Sequence, residues 1–185
     1  GVDGYTGAMY VFSRNSTGGW EQVQKLMAED GKVEDRFGGS VAMSGNVMAV
    51  GPHVTVPDTC VVGAVYIFTQ NDDDNGLWVQ TQKLVLNDAQ KGDCFGGSVA
   101  MVDDRLIVGA YGKTNGNDIQ TGAVYQFSRS DEGNWTEMVS SSHIFPVDGA
   151  SGDAFGYSVS LYGRKAVIGS RGEGRGGAVY TKQLC

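Results

Sequence analysis

The middle of the chain runs Phe95-Gly-Gly-Ser-Val-Ala-Met101, then Arg105-Leu-Ile-Val-Gly-Ala110, then Gly122-Ala-Val-Tyr-Gln-Phe-Ser128. The first segment alternates small or polar residues with apolar ones. The second is a short apolar run behind an Asp103-Asp104 turn, so the two read as a β-hairpin. The third puts Val124 and Gln126 on one face and Ala123, Tyr125 and Phe127 on the other, as a strand must. Trp135 opens a fourth, more polar strand. The unit is a four-stranded meander.

The unit recurs. Phe37 to Met43 copies Phe95 to Met101 residue for residue, and Phe155-Gly-Tyr-Ser-Val-Ser-Leu161 copies it loosely. Gly-Ala-Val-Tyr, with Met for Val in the first copy, starts at positions 7, 63, 122 and 177, that is 56, 59 and 55 residues apart. This interval is long for a helical hairpin repeat and close to a propeller blade. The reading is therefore all-β: antiparallel blades of a partial propeller. Residues 1–29 supply the third and fourth strands of one blade, 30–87 and 88–146 are whole blades, and 147–185 form a blade lacking its fourth strand. Phe37, Phe95 and Phe155 are expected to wedge apolar surface between neighbouring sheets. Gly38, Gly96 and Gly156 let the converging inner strands approach. Trp20, Trp78 and Trp135 read as packing and edge-covering residues.

Composition narrows the function classes. Glycine contributes 29 of 185 residues, a turn-rich β composition rather than a disordered one. A net charge of −7 without a Lys/Arg run argues against nucleic acid and anionic membrane surfaces as partners. No stretch approaches the ~20 apolar residues of a membrane span. The opening Gly-Val-Asp-Gly carries no signal-peptide pattern and reads as a mature or trimmed chain.

Two N-glycosylation sequons, at Asn15 and Asn134, fall in the same place within their respective repeats, which favours exposed turns of an extracellular or cell-surface protein bearing N-linked glycans over accidental tripeptides in polar loops. Cys60, Cys94 and Cys185 suit that setting with one disulfide, and reduced buried cysteines are the alternative. Cys60 and Cys94 lie in loops of one blade, so they are the preferred pair, leaving Cys185 for another segment or chain.

The spacing Asp-x4-Asp precedes every Phe-Gly: Asp30 and Asp35, Asp88 and Asp93, Asp148 and Asp153. Aspartates in tight turns accept backbone N–H bonds, so these are read as turn-capping residues, with ion or ligand contact as the alternative. Asn71, Asp73 and Asn75 alternate within an acidic tract that looks like a calcium loop, against the plainer reading of a solvated hairpin tip. Nothing resembles a nucleophile motif near His53 or His143, so catalysis has little support.

Phe95-Gly96, Val108-Gly109-Ala110, Gly122-Ala-Val-Tyr125 and Trp78-x-x-x-Gln82-Lys83-Leu84, in that order and repeated, resemble the FG-GAP repeats of integrin α-subunit propellers and of many extracellular proteins. The resemblance covers nearly the whole chain and implies a propeller. Many members carry an Asp-x-Asp-x-Asp-Gly calcium loop between a blade's first two strands. Here the turns Ser44-Gly45-Asn46, Val102-Asp103-Asp104 and Tyr162-Gly163-Arg164 are too short for it.

The expected function is non-enzymatic: adhesion or recognition of a protein or glycan through variable loops on the face opposite the sequons. A second reading is a subunit of an extracellular fibre or coat, in which copies of the chain join head-to-tail across open blade edges. A third, which the resemblance permits, is an accessory domain of a secreted hydrolase.

Overall fold

The computed structural model describes residues 6–33, 35–53, 63–71, 76–116, 120–138, 143–172 and 176–184. Thirteen strands and no helix occur among them. In chain order they are β1 (Met9–Arg14), β2 (Trp20–Leu26), β3 (Phe37–Ser44), β4 (Val47–Pro52), β5 (Val65–Asn71), β6 (Leu77–Leu84) and β7 (Phe95–Val102). After these come β8 (Arg105–Ala110), β9 (Ala123–Arg129), β10 (Trp135–Glu137), β11 (Phe155–Tyr162), β12 (Lys165–Ser170) and β13 (Ala178–Gln183). Each sheet is an antiparallel meander: β1-β2, β3-β4-β5-β6, β7-β8-β9-β10 and β11-β12-β13.

The inner strands β3, β7 and β11 bend at the same place. Their pairing slips between Phe37 and Ser40, Phe95 and Ser98, and Phe155 and Ser158, where the glycine after each phenylalanine has φ of 95°, 87° and 84°. A side chain resists that left-handed conformation, which is why glycine recurs there. The bend turns each phenylalanine onto the tyrosine of its own blade, with centroids 5.6 Å apart for Phe37–Tyr66, 5.7 Å for Phe95–Tyr125 and 5.1 Å for Phe155–Tyr180, all edge-on.

Three apolar cores lie between successive sheets. Leu26 joins Phe37, Met48, Val50 and Phe68 in the first, and Val47, Ala49 and Ile67 meet Val99, Met101 and Leu106 in the second. Ile107 and Val124 meet Phe155, Ala166 and Ile168 in the third. No blade buries its faces alone, so stacking neighbours is what forms the core.

Two polar devices repeat between blades. Ser40 Oγ donates to the Gly96 carbonyl at 2.6 Å and Ser98 Oγ to the Gly156 carbonyl at 2.7 Å, fastening inner strands. Gln24 and Gln82 fasten outer strands by bonding both backbone groups of Trp78 and Trp135. The tryptophans divide accordingly. Trp78 and Trp135 are buried, as expected of packing residues, but Trp20 is 70% exposed. That is a correction to the expectation for Trp20: among the described residues no preceding blade lies against β2 to cover it.

Candidate functional site

The chain passes from one blade's outer strand to the next blade's inner strand through a loop built on the aspartate pair. The second aspartate closes it. Asp35, Asp93 and Asp153 accept the N–H of Lys32, Gln90 and Ala150 at 2.6, 2.9 and 2.7 Å. Their own N–H groups return to the same three residues' carbonyls. The residue that follows, Arg36, Cys94 or Ala154, has φ of 49°, 57° or 51° and lifts the chain into Phe-Gly. These are strained positions for residues with a side chain, held by the turn beneath.

The first aspartate reaches into the blade that it introduces. Asp30 and Asp148 each accept from a tyrosine hydroxyl, Tyr66 and Tyr180, at 2.9 Å. Lys83 also bonds Asp30 and lies over the Tyr66 ring. The middle blade differs: Lys113, buried at the start of the long β8–β9 loop, binds the Asp88 carboxylate at 2.9 Å, the Asp88 carbonyl at 3.1 Å and the Asp93 carboxylate at 3.0 Å. The Lys113 ammonium holds the Asp88 carboxyl below the usual carboxylate range. Burial works against the ammonium's charge, but its bonds to Asp88 and Asp93 outweigh that and raise the Lys113 pKa. Burial pushes the Tyr125 hydroxyl nearby up to about 12. Hydrogen bonds from Lys83 and then Tyr66 lower the Asp30 pKa.

The long loops leave their strands on the same side as these turns. His53, Gly112 and Gly172 donate backbone bonds to the carbonyls of Arg36, Asp93 and Asp153, tying long-loop starts to turn ends. Tyr157, 41% exposed, packs at a tilt against Tyr111 with centroids 5.1 Å apart, and the Arg171 guanidinium lies over its ring at 5.2 Å. Arg36 and His53 line a cleft beside β1 and β3. His143 is elsewhere, packed on Tyr125 at 4.3 Å and bonded to Glu137 at 2.7 Å.

Tight two-residue turns and the sequon hairpins occupy the other side. Asn15 begins the β1–β2 turn, its side-chain oxygen accepting from Thr17 and Gly19 and its amide donating to Glu21. Asn134 ends the β9–β10 turn. The closing bonds Asn15 N to Gly19 O and Ser130 N to Asn134 O, both 2.8 Å, make Asn15 the counterpart of Ser130 and Asn134 the counterpart of Gly19. This corrects the expectation that the sequons fall in the same place: they share a loop but stand on opposite shoulders of it.

Cys94 is fully buried beside Tyr111 and Ala154 and is disulfide-bonded. Cys60 and Cys185 lie outside the described residues, as do Asp73 and Asn75. Asn71 ends β5 and is exposed. Among the described residues no three His, Cys, Asp or Glu side chains converge as metal ligands. The turns joining first and second strands hold two residues each, Gly45-Asn46, Asp103-Asp104 and Gly163-Arg164. Two residues cannot accommodate the six-residue Asp-x-Asp-x-Asp-Gly pattern of the family's calcium loop. Sequence reasoning missed Lys113, the serine relay and the glutamine clasps.

The family model described as FG-GAP repeat matches residues 20–68, 78–127 and 135–181. No curated protein matches the chain.

Proposed function

The chain belongs to the FG-GAP repeat family, and from that premise we propose that it is a non-enzymatic, extracellular recognition segment that binds a protein or glycan through its long-loop face. The observation that carries this reading is the exposed Tyr157, whose ring meets Tyr111 at a tilt and lies beside the Arg171 guanidinium. An aromatic face beside a guanidinium, loses little conformational freedom on binding and suits both sugar rings and protein side chains. Sequons on the opposite face leave the loops clear of glycan, and a disulfide at Cys94 accords with an oxidising compartment. The preferred bridge is Cys60 to Cys94, and Asn15 and Asn134 are the glycan carriers.

The test is to express the chain through a secretory pathway, multimerise it, and measure binding to glycan arrays and cell surfaces. Y157A and R171A should each lower binding about tenfold or more while leaving the melting temperature within a few degrees. Binding that survives both variants, or that disappears only when the sequon face is altered, would overturn the reading.

A fibre or coat subunit is the second reading, favoured by the two-stranded β1-β2 sheet and by the three-stranded sheet that ends at β13.

A further inference from the structure

Two departures from the repeat meet at one point on the long-loop face. Phe-Gly-Gly becomes Phe-Gly-Tyr in the third copy, so Tyr157 stands where the first two blades have Gly39 and Gly97. A Cβ on Gly39 would overlap the backbone of His53, so the first blade has no room even for a methyl group there. The residue paired with each motif's phenylalanine is Pro52, Ala110 or Ser170, and the next residue, which opens the long loop, is His53, Tyr111 or Arg171. Tyr111 and Arg171, from successive blades, both meet Tyr157. None of these three side chains repeats, so no packing demand common to the blades explains them.

The backbone on both sides of the spot is fixed. The Tyr157 N–H donates to the Ala154 carbonyl at 3.1 Å, and Ser170 Oγ and the Gly172 N–H, on either side of Arg171, both donate to the Asp153 carbonyl, at 2.7 and 2.9 Å. Tyr157 and Arg171 are therefore anchored to one closed turn and need little ordering to receive a ligand. Charge is unevenly disposed around them. Lys113, two residues after Tyr111, is buried and neutralised by Asp88 and Asp93, whereas Arg171 is exposed. The Arg171 charge also reaches the Tyr111 hydroxyl, where it opposes the rise in pKa that burial causes and the neighbouring Tyr157 reinforces. With five N–H donors, an exposed guanidinium can take a carboxylate in addition to its contacts within the chain.

We propose that Tyr157 and Arg171 form a subsite for one carboxylated sugar within an otherwise neutral glycan, which rests on the recognition reading above and narrows it. A carboxylated pyranose carries an apolar C–H face and an anion on one rigid ring, which matches exposed aromatic surface beside a guanidinium. An acidic protein side chain brings the carboxylate without the face. A neutral sugar brings the face without the charge. A densely charged polyanion is disfavoured by the chain's net charge of −7, because the attraction of a single guanidinium is local.

The probes are the methyl glycosides of glucuronic acid, galacturonic acid and a sialic acid, each beside its uncharged methyl ester, with N-acetylglutamate amide as the peptide-like control. Each is titrated into the full chain and followed by NMR chemical shifts. At least one acid should bind about tenfold more tightly than its own ester and than the glutamate control. Arg171→Gln should bring the acid-to-ester ratio close to one, a change that a merely structural role for Arg171 would not produce. Tyr157→Ala should weaken acid and ester alike, severalfold. Both residues are exposed, so both variants should melt within a few degrees of wild type. Acids that bind no better than their esters, a glutamate control that binds as well as the best sugar, or an acid preference that survives R171Q overturns the proposal. If that happens while Y157A and R171A still abolish capture on glycan arrays or cell surfaces, the recognition reading stands and only the choice of a carboxylated sugar falls.

Discussion

Gln82 clasps the backbone of Trp135, its Nε2 donating to the Trp135 carbonyl at 2.6 Å and its Oε1 accepting the Trp135 N–H at 2.8 Å. The carboxamide sets that donor and acceptor side by side, matched to the two backbone groups. Alanine would leave two half-buried backbone groups without partners, and glutamate would supply the acceptor without the donor. Gln82→Ala should cost about 2 kcal/mol and lower the melting temperature by roughly 4–8 °C, with Gln82→Glu similarly affected. A Q82A chain that melts within a degree of wild type would show that the clasp contributes nothing.

Lys113 bridges two aspartates in unlike surroundings. The Asp88 side chain is 59% exposed and screened by water, whereas that of Asp93 is 6% exposed. Lys113→Met therefore leaves chiefly Asp93 as an uncompensated buried charge, at a cost of about 3 kcal/mol. Adding Asp93→Asn keeps a side-chain oxygen for the Gln90 N–H and removes the charge, so the double variant should be more stable than K113M alone at pH 7. Urea titration of the four chains decides it, and additive effects would sink the coupling.

Stability should plateau near neutral pH and fall on both sides. Asp88 and Asp30 have folded pKa values held down by Lys113 and by Lys83 with Tyr66. Their contribution is complete above the ordinary carboxylate value near ~3.9 and is lost as pH falls through the depressed folded values. At the alkaline end, burial raises Tyr125 to about 12, and the bonds of Lys113 to Asp88 and Asp93 raise that ammonium despite burial. Those contributions are complete below about pH 10 and are lost as pH rises through the folded values. The Tyr125 hydroxyl is buried without a hydrogen-bond partner among the described residues. Tyr125→Phe should hold or gain about 1 kcal/mol at pH 7 and flatten the alkaline limb, followed by tyrosinate absorbance. A steeper limb in Y125F would contradict this.

The period of Phe-Gly and Gly-Ala-Val-Tyr made the blades legible because each local pattern also states a strand's facing. What lies between blades was less legible. Ser40 and Ser98 recur plainly, yet their acceptors, Gly96 and Gly156, belong to the next repeat, and nothing local names them. Gln24 and Gln82 each stand four residues after a tryptophan, but the tryptophan that they bind is that of the following blade. Lys113 occurs in one repeat only, so repetition gives no signal for it. The exposure of Trp20 could not be read from a motif shared with two buried tryptophans, because burial there depends on a neighbour and not on the strand itself.

Gly109 and Gly169 occupy the same place in successive blades but face different neighbours. A Cβ on Gly109 would overlap the carbonyl oxygen of Gly156 in the next blade, which is backbone and cannot rotate aside. A Cβ on Gly169 would meet chiefly its own blade's Ser158 hydroxyl, an exposed side chain that can turn away. Gly109→Ala must therefore push two blades apart, breaking the Ser98 bond and loosening the core around Ile107 and Phe155, for about 2–4 kcal/mol. Gly169→Ala should stay within about 1 kcal/mol. Paired thermal melts of the two variants test the packing directly, since helix or strand propensity is the same at both sites. Equal losses would mean that the glycine is required by its own strand, and that close approach between blades is not what fixes it.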